Sequence, residues 1–560
     1  MLRPSPGSHR CQGRRRPPRW GTAVHLVALV ALLCACGGGA ADRSRSTSPA
    51  TGSSAVEGDR TSTHFGCEPD RAVADAEPVA LPRDWSVPLI VNPSASFVNV
   101  DLNGDGIADT VLSGWPDDST GADPPMLALD GRSGGTLWRS SEHIAAIAAP
   151  LVTDLTRDGI PDVVVGGRGL PNSDRPLVAL DGRDGSTLWV VAPAEPTWQN
   201  VYTPRRIDDV DGDGVDDIVV TTGGDHLRAD YDPPTVAGRI AVISGRSGKI
   251  LGMLPTADGR ELYSSPVLVP SAGGPTALFG SGGEVFGGSL WEVPVGSIAH
   301  GNADEALEAV LPGGGSSFIA PLTVGPIAAP ATTTAVAVRL DGTVYALDVV
   351  DGSVAGELWR SEEVPELVER SVGPGEEKIM AAGLSPAAVA QLDDDEQLEV
   401  IIQFSVLPKQ DVERDDYGEG CSVIAVFDGR TGKLQWTLQG GRTGSVVSPL
   451  TVTQPGGTAV LCACVQIPSS KRTQLALWYP TADRVELVGV GAQLSATPFV
   501  VDGPDGRPVL TVGEYTESRE DGDDRPRPPL VSRLRLGEGT VVWGGYMGPA
   551  NDGWVTDTDR

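Results

Sequence analysis

From about Val91 to Gly548 the apolar residues come in short runs bounded by Gly, Asp, Pro and Ser, and nowhere do they recur at helical spacing. Runs of that length and punctuation predict β-strands joined by tight turns. Two patterns alternate. In the first, an acidic loop leads into a Val/Ile strand, as in Phe97–Leu112, Pro150–Val165 and Arg206–Val220, with degenerate copies starting at Pro266, Pro321, Pro386, Pro449 and Pro498. In the second, two apolar strands flank a tight Asp-Gly turn and the later strand carries Trp, as in Leu127–Trp138, Val178–Trp189, Val344–Trp359 and Ile424–Trp436. Weaker versions lie at Ile240–Gly252, Leu475–Val488 and Val531–Trp543.

Each repeat of roughly 55 residues thus offers four strands in two hairpins. One four-stranded sheet cannot bury both of its faces, whereas sheets packed radially around an axis can. The expectation is an all-β fold, a β-propeller of eight four-stranded blades, with seven as the alternative because the copies at Pro266 and Pro321 are weak. Pro78–Val91, which contains Trp85, is a candidate closing strand.

The acidic loops carry the most specific chemistry. Calcium takes six to eight oxygens, which a loop supplies from alternate positions around a glycine turn. The first loop offers Asp101, Asn103, Asp105, the Ile107 carbonyl and Asp109, turning at Gly106. The second offers Asp154, Thr156, Asp158, the Ile160 carbonyl and Asp162, turning at Gly159. The third offers Asp209, Asp211, Asp213, the Val215 carbonyl and Asp217, turning at Gly214. The twelfth positions are Leu112, Val165 and Val220 and a strand follows, so these are not EF-hands. With four carboxylates the third loop is expected to bind tightest. The copy at Gln391–Glu399 lacks the first carboxylate and the turn glycine, and is read as metal-free; the one at Asp502–Gly506 is read as a turn.

These loops resemble the FG-GAP or VCBS repeats of integrin-α-type propellers, whose loops bind calcium. Ala128, Asp130, Gly134 and Trp138, and again Ala179, Asp181, Gly185 and Trp189, resemble the tryptophan-docking repeat of quinoprotein-like propellers. The second resemblance implies a rival function, quinone-dependent dehydrogenation, with a Cys-Cys disulfide over the cofactor and calcium held in the central channel. The chain has no adjacent cysteines and several units lack Trp, so pyrroloquinoline quinone (PQQ) is not an expected cofactor. Structural calcium is.

The first 35 residues read as an export signal: Arg3, Arg10, Arg14, Arg15, Arg16 and Arg19, then the apolar run Ala23–Ala35, too short to span a bilayer. Leu33-Cys34-Ala35-Cys36 followed by glycines resembles a bacterial lipobox, which implies lipidation of Cys36. Residues 36–75 are then a lipid-anchored Ser/Thr/Gly-rich linker, 76–550 the propeller and 551–560 a tail. Cys67, Cys421, Cys462 and Cys464 remain in the exported part. Residues two apart on a strand place their Cα atoms about 6.5 Å apart, so Cys462 and Cys464 are not expected to pair with each other. Either one of them bridges to Cys421 or these are buried free thiols.

With 43 Lys and Arg against 74 Asp and Glu the net charge is −31, which repels a phosphate backbone and removes nucleic acid from the expected partners. Metal loops and Asp-Gly turns join strands one to two and three to four, so both fall on one face of the disc. The opposite face carries longer insertions in which Trp115, Tyr231, Tyr417 and Tyr515 stand among Asp117, Asp118, Asp230, Asp232, Asp415, Asp416, Asp523 and Asp524. Such loops are either solvated insertions or a surface for a cationic or carbohydrate ligand. Gly131–Gly135 has the Gly-x-Ser-x-Gly spacing of a nucleophile elbow but lies in a turn between strands, and no His-x-x-x-His pair or phosphate loop is present. The function read from the sequence is a monomeric, calcium-binding propeller, anchored to the outer face of the cell membrane through its lipid alone. It serves as a binding or scaffold module for a surface protein or glycan. A quinone-dependent dehydrogenase or polysaccharide-active enzyme is the alternative.

Overall fold

A computed structural model describes residues 68–89, 97–113, 125–144, 146, 148–167, 176–191, 198, 200–223, 237–283, 287–301, 307–372, 379–393, 395–408, 420–442, 448–467, 472–488, 493–494, 497–515 and 529–555. Eight antiparallel sheets follow one another along the chain, and each is a blade in which successive strands run from the axis outward. Blade 1 comprises Val98–Val100, Asp109–Leu112, Pro125–Leu129 and Thr136–His143. The inner strands of blades 2 to 5 are Leu151–Thr153, Arg205–Ile207, Val267–Val269 and Thr323–Gly325. In blade 6 the inner edge is shared by Ile379–Gly383 and Ala388–Ala390, both paired with the ten-residue strand Glu399–Pro408. Blades 7 and 8 begin with Leu450–Gln454 and with Gln493–Leu494 and Phe499–Asp502. The expected blade count of eight holds, and the weak copies at Pro266 and Pro321 form full four-stranded sheets.

The middle strands are buried on both faces because each blade is covered by a neighbour on either side. Asp109–Leu112, Asp162–Gly166 and Leu177–Leu180 are buried throughout, which is why they read as continuous apolar runs rather than alternating ones. The outer strands meet solvent at the rim and do alternate: Leu137 is exposed while Trp138 beside it is buried.

Ring closure uses both ends of the described chain. Arg83–Pro88 pairs antiparallel with Leu530–Arg535 and becomes the outermost strand of blade 8, as the candidate closing strand required. Just before it, Pro78–Val79 adds in parallel to the outer strand of blade 7, and Asp70 accepts a hydrogen bond from the Gln439 N–H of blade 6 at 2.8 Å.

The tryptophan repeat joins one blade to the next. The Trp138 indole N–H donates to the Gly182 carbonyl at 2.7 Å, Trp189 to Gly245 at 2.7 Å and Trp359 to Gly429 at 2.8 Å. Each ring also covers a second glycine of that turn, Gly185, Gly248 or Gly432. These glycines have φ near +70°, and a Cβ on Gly185 would lie 2.6 Å from Trp138 Cε3. Both a left-handed turn and an unobstructed ring therefore require glycine there. Trp85 on the closing strand makes the same contact with blade 1, donating to the Gly131 carbonyl at 3.0 Å. Trp291 differs: its indole bonds Ser281 within its own blade.

Candidate functional site

The three acidic loops fold alike, each between the first and second strands of blades 1, 2 and 3. Backbone N–H groups aim the carboxylates. Asp101 accepts from Gly104 and Gly106 at 2.7 and 2.9 Å, and Asp209 accepts from Gly212 and Gly214, each at 2.7 Å. Asp154 accepts from Asp158 and Gly159. Asn103 and Asp211 each receive the N–H two residues on, as do Asp105, Asp158 and Asp213, here from Ile107, Ile160 and Val215 at 2.9 Å. Gly106, Gly159 and Gly214 have φ of +79°, +84° and +89°, the turn the sequence assigned to them. Burial works to raise the Asp209 pKa, but the N–H groups of Gly214 and Gly212 outweigh it and hold the carboxylate below its ordinary value.

The last acid of each loop has a different role. Asp109, Asp162 and Asp217 are almost wholly buried. One oxygen accepts the N–H of Leu102, Leu155 or Val210, and the other that of Gly131, Gly182 or Gly245 in the Asp-Gly or Ser-Gly turn of the same blade. These carboxylates pin the two hairpins of a blade together. Desolvation raises all three pKa values, and the backbone hydrogen bonds oppose it.

The third loop brings carboxylate oxygens of Asp209, Asp211 and Asp217 within 4.8 Å of one another. That donor set fits a divalent cation with oxygen ligands. Asp213 stands outside this group and faces Arg246 at 3.4 Å. Arg132 pairs likewise with Asp105 at 3.2 Å, and Arg183 with Asp158. The arginines were not anticipated, although a signal exists: Arg follows the turn glycine at the same offset in Asp130-Gly-Arg132, Asp181-Gly-Arg183 and Ser244-Gly-Arg246.

The degenerate loop of blade 6 folds in the same register. Glu399 accepts the Leu392 N–H at 2.6 Å, as Asp109 accepts that of Leu102, and carboxylate oxygens of Asp393, Asp395 and Glu399 lie within 4.8 Å of one another. Gln391 takes the place of the first Asp. Its amide N–H₂ donates to the carbonyls of Asp395 and Gln397, at 2.5 and 2.8 Å. A neutral amide thus closes this loop from within, while the carboxylates that sequence reading discounted still converge.

Towards the axis lies a C-terminal segment in which Thr540–Trp543, expected to complete a hairpin with the strand from Val531, leaves that strand for blade 7, and only residues from 551 on were expected to be a tail. Thr540–Trp543 pairs antiparallel with the inner strand of blade 7, the Gly544 carbonyl accepts from Val500 of blade 8 at 2.7 Å, and Trp554 bridges in parallel to Val324 of blade 5. Met547, Asn551 and Val555 are buried. The boundary expected at 551 does not mark where packing ends: after the exposed Pro549 and Ala550, Asn551, Gly553 and Val555 are buried again against the inner edges of the blades. In the connection between blades 3 and 4, Glu261 is buried with Tyr263, whose hydroxyl lies 3.4 Å from its carboxylate. Burial pushes Glu261 up to about 7. Tyr202 meets the Tyr263 ring edge-on at 6.1 Å.

Cys421 is disulfide-bonded and Cys462 is a buried free thiol. Cys36, the export signal, Cys67 and nearly all of the long insertions, with Trp115, Tyr231 and Tyr417, lie outside the described residues; Tyr515 ends a strand of blade 8.

Residues 540–555 pair with the inner strands of blades 5, 7 and 8, towards the centre of the ring where the quinoprotein resemblance would place PQQ. No protein-family model matches the chain, and no curated protein does. Among solved structures it is similar to a europium-containing methanol dehydrogenase, at 12% identity over 85% of this chain and 98% of that one, with a TM-score of 0.53. A quinohemoprotein alcohol dehydrogenase from Comamonas testosteroni matches at 14% identity over 85% of this chain and 80% of that one, with a TM-score of 0.50. BamB from Moraxella catarrhalis matches at 13% identity over 82% and 98%, with a TM-score of 0.36. At such identities the likeness is one of fold, and the chain is an eight-bladed β-propeller.

Proposed function

We propose that this protein is an exported, lipid-anchored propeller, braced by calcium in its blade loops, that acts as a binding or scaffold module for a surface protein or glycan. The observation that carries this reading is the C-terminal segment laid along the inner edges of the blades. An enzyme of the quinoprotein kind needs a cofactor at the centre of the ring, and here the chain's own backbone pairs along the inner edges of blades 5, 7 and 8. The insertions between second and third strands differ in length and composition from blade to blade, and loops carried on a rigid scaffold suit recognition. Asp209, Asp211 and Asp217 would hold calcium in blade 3, with Asp101, Asn103, Asp105 and Asp109, and Asp154, Thr156, Asp158 and Asp162, at the matching positions of blades 1 and 2. The ion would supply charge compensation for clustered carboxylates. Cys36 would carry the lipid. Calorimetric titration of the calcium-loaded exported chain with PQQ tests the reading. No saturable heat is expected, and pull-downs with cell-wall glycans and surface proteins follow. Stoichiometric binding of the quinone would overturn the module and favour the dehydrogenase.

A further inference from the structure

The inner strand of every propeller blade leaves one edge of N–H and C=O groups facing the axis, and such an edge accepts an added strand. We propose that the axis of this propeller is a peptide-accepting site whose resident ligand is the chain's own C-terminal segment, a latch that can be detached from the blades and that keeps other ligands out of the channel.

Three observations support it. The backbone pairing is that of strand addition: Thr540–Trp543 lies antiparallel on blade 7, and Val324 of blade 5 donates to Gly553 at 2.7 Å and accepts from Val555 at 2.8 Å. Second, Arg205 on the inner strand of blade 3 is fully buried, with no carboxylate at ion-pair distance among the described residues. Its donors go to the Pro266 carbonyl at 2.8 Å, to the Asn551 carbonyl and, at 3.1 Å, to Met547 Sδ. Two of its three acceptors therefore belong to the segment. A buried guanidinium depends on such acceptors, so it acts as the clasp. Trp554 adds an indole hydrogen bond to the Leu268 carbonyl of blade 4. Third, the segment joins the ring through Leu536–Gly539 alone. Gly537 has φ +94°, and a Cβ on Gly539 would lie 2.3 Å from the Thr453 carbonyl. Because the N-terminal strand fills the outermost place in blade 8, the chain leaving the third strand is free to turn inward.

The test uses the full chain with a protease site placed at Glu538. After cleavage the fragment carrying the segment is followed by size exclusion and mass spectrometry. The expected result is that it stays bound to the intact ring. In Arg205→Met it should leave at least ten-fold faster. A second variant guards against a ring that fails to fold. Gly553→Ala changes only the segment, placing a Cβ 2.9 Å from both the Leu322 carbonyl and Val267 at a φ of +78°, and should also speed release. Far-UV circular dichroism of the uncut proteins checks that the blades are intact. A fragment lost at once from the unsubstituted protein, or held equally well by both variants, would overturn the proposal. Neither result depends on calcium or on the surface partner; the module reading, which rests on the placement of the same segment, is tested apart from it by the quinone titration of the uncut chain.

Discussion

If the tryptophan repeat works by docking one blade onto the next, Trp138 and Gly185 must be energetically coupled although they lie in different sheets. Trp138→Ala removes a buried indole, and with it the hydrogen bond to Gly182; such truncations cost about 3–5 kcal/mol. Gly185→Ala carries two penalties in the unsubstituted protein. The left-handed φ of +72° costs an alanine about 1–2 kcal/mol. The Cβ would also lie 2.6 Å from Trp138 Cε3, an overlap whose relief by shifting the ring costs about 1–3 kcal/mol more. In a Trp138→Ala background the second penalty disappears and the first remains. Gly185→Ala should then be about 1–3 kcal/mol cheaper there than in the parent. Gly259 has a φ of +67° with nothing within 4 Å of an added Cβ, so Gly259→Ala measures the conformational part alone. The assay is urea unfolding at fixed calcium, followed by far-UV circular dichroism because the substitution removes a fluorophore. Additivity of the two substitutions to within about 0.5 kcal/mol would refute inter-blade docking as the cause of the Gly and Trp pattern.

Glu261 has a folded pKa raised by burial from 4.5 to about 7, so the folded state binds a proton more readily than the unfolded one and stability falls as pH rises from about 4.5 to 7. Glu261→Gln should remove that slope, shifting its stability relative to the parent by about 3 kcal/mol between pH 4 and pH 8; parallel pH profiles would exclude Glu261 as the source. Chelation is expected to lower the melting temperature, and Asp209→Ala should remove the tightest calcium step; a melt indifferent to calcium would mean that the loops hold no ion. Gln391→Asp exchanges the two amide donors of the blade 6 loop for a fourth carboxylate near Asp393, Asp395 and Glu399, so that variant should lose stability in chelator and regain it with calcium, and equal melts would deny the amide its role. The Cys462 thiol is wholly buried and its pKa pushed up by desolvation; it should not react with a thiol reagent until urea unfolds blade 7, and fast labelling of the native protein at this residue would contradict that placement.

Much of this molecule is written in local pattern. Short apolar runs, Asp-Gly turns and the offsets within Asp101–Asp109, Asp154–Asp162 and Asp209–Asp217 determined the strands, the repeat and the candidate ligands, because a turn that needs glycine at one position and a carboxylate at another depends on residues a few places apart. The closing strand around Trp85 was legible for the same reason. What the sequence could not order is which side chains meet across a folded loop or turn, and whatever depends on residues brought together from distant blades. Gln391 reads as a lost ligand, yet its amide closes the loop; Arg132, Arg183 and Arg246 were given no role, yet they face loop aspartates of their own blades. The last described residues, Gly544–Val555, have no strand-like pattern because they are held by the unpaired edges of inner strands and by Arg205, more than 300 positions away. An edge at the centre of a ring exists only after the ring has closed, so the path of the C-terminal segment was decided by tertiary structure alone.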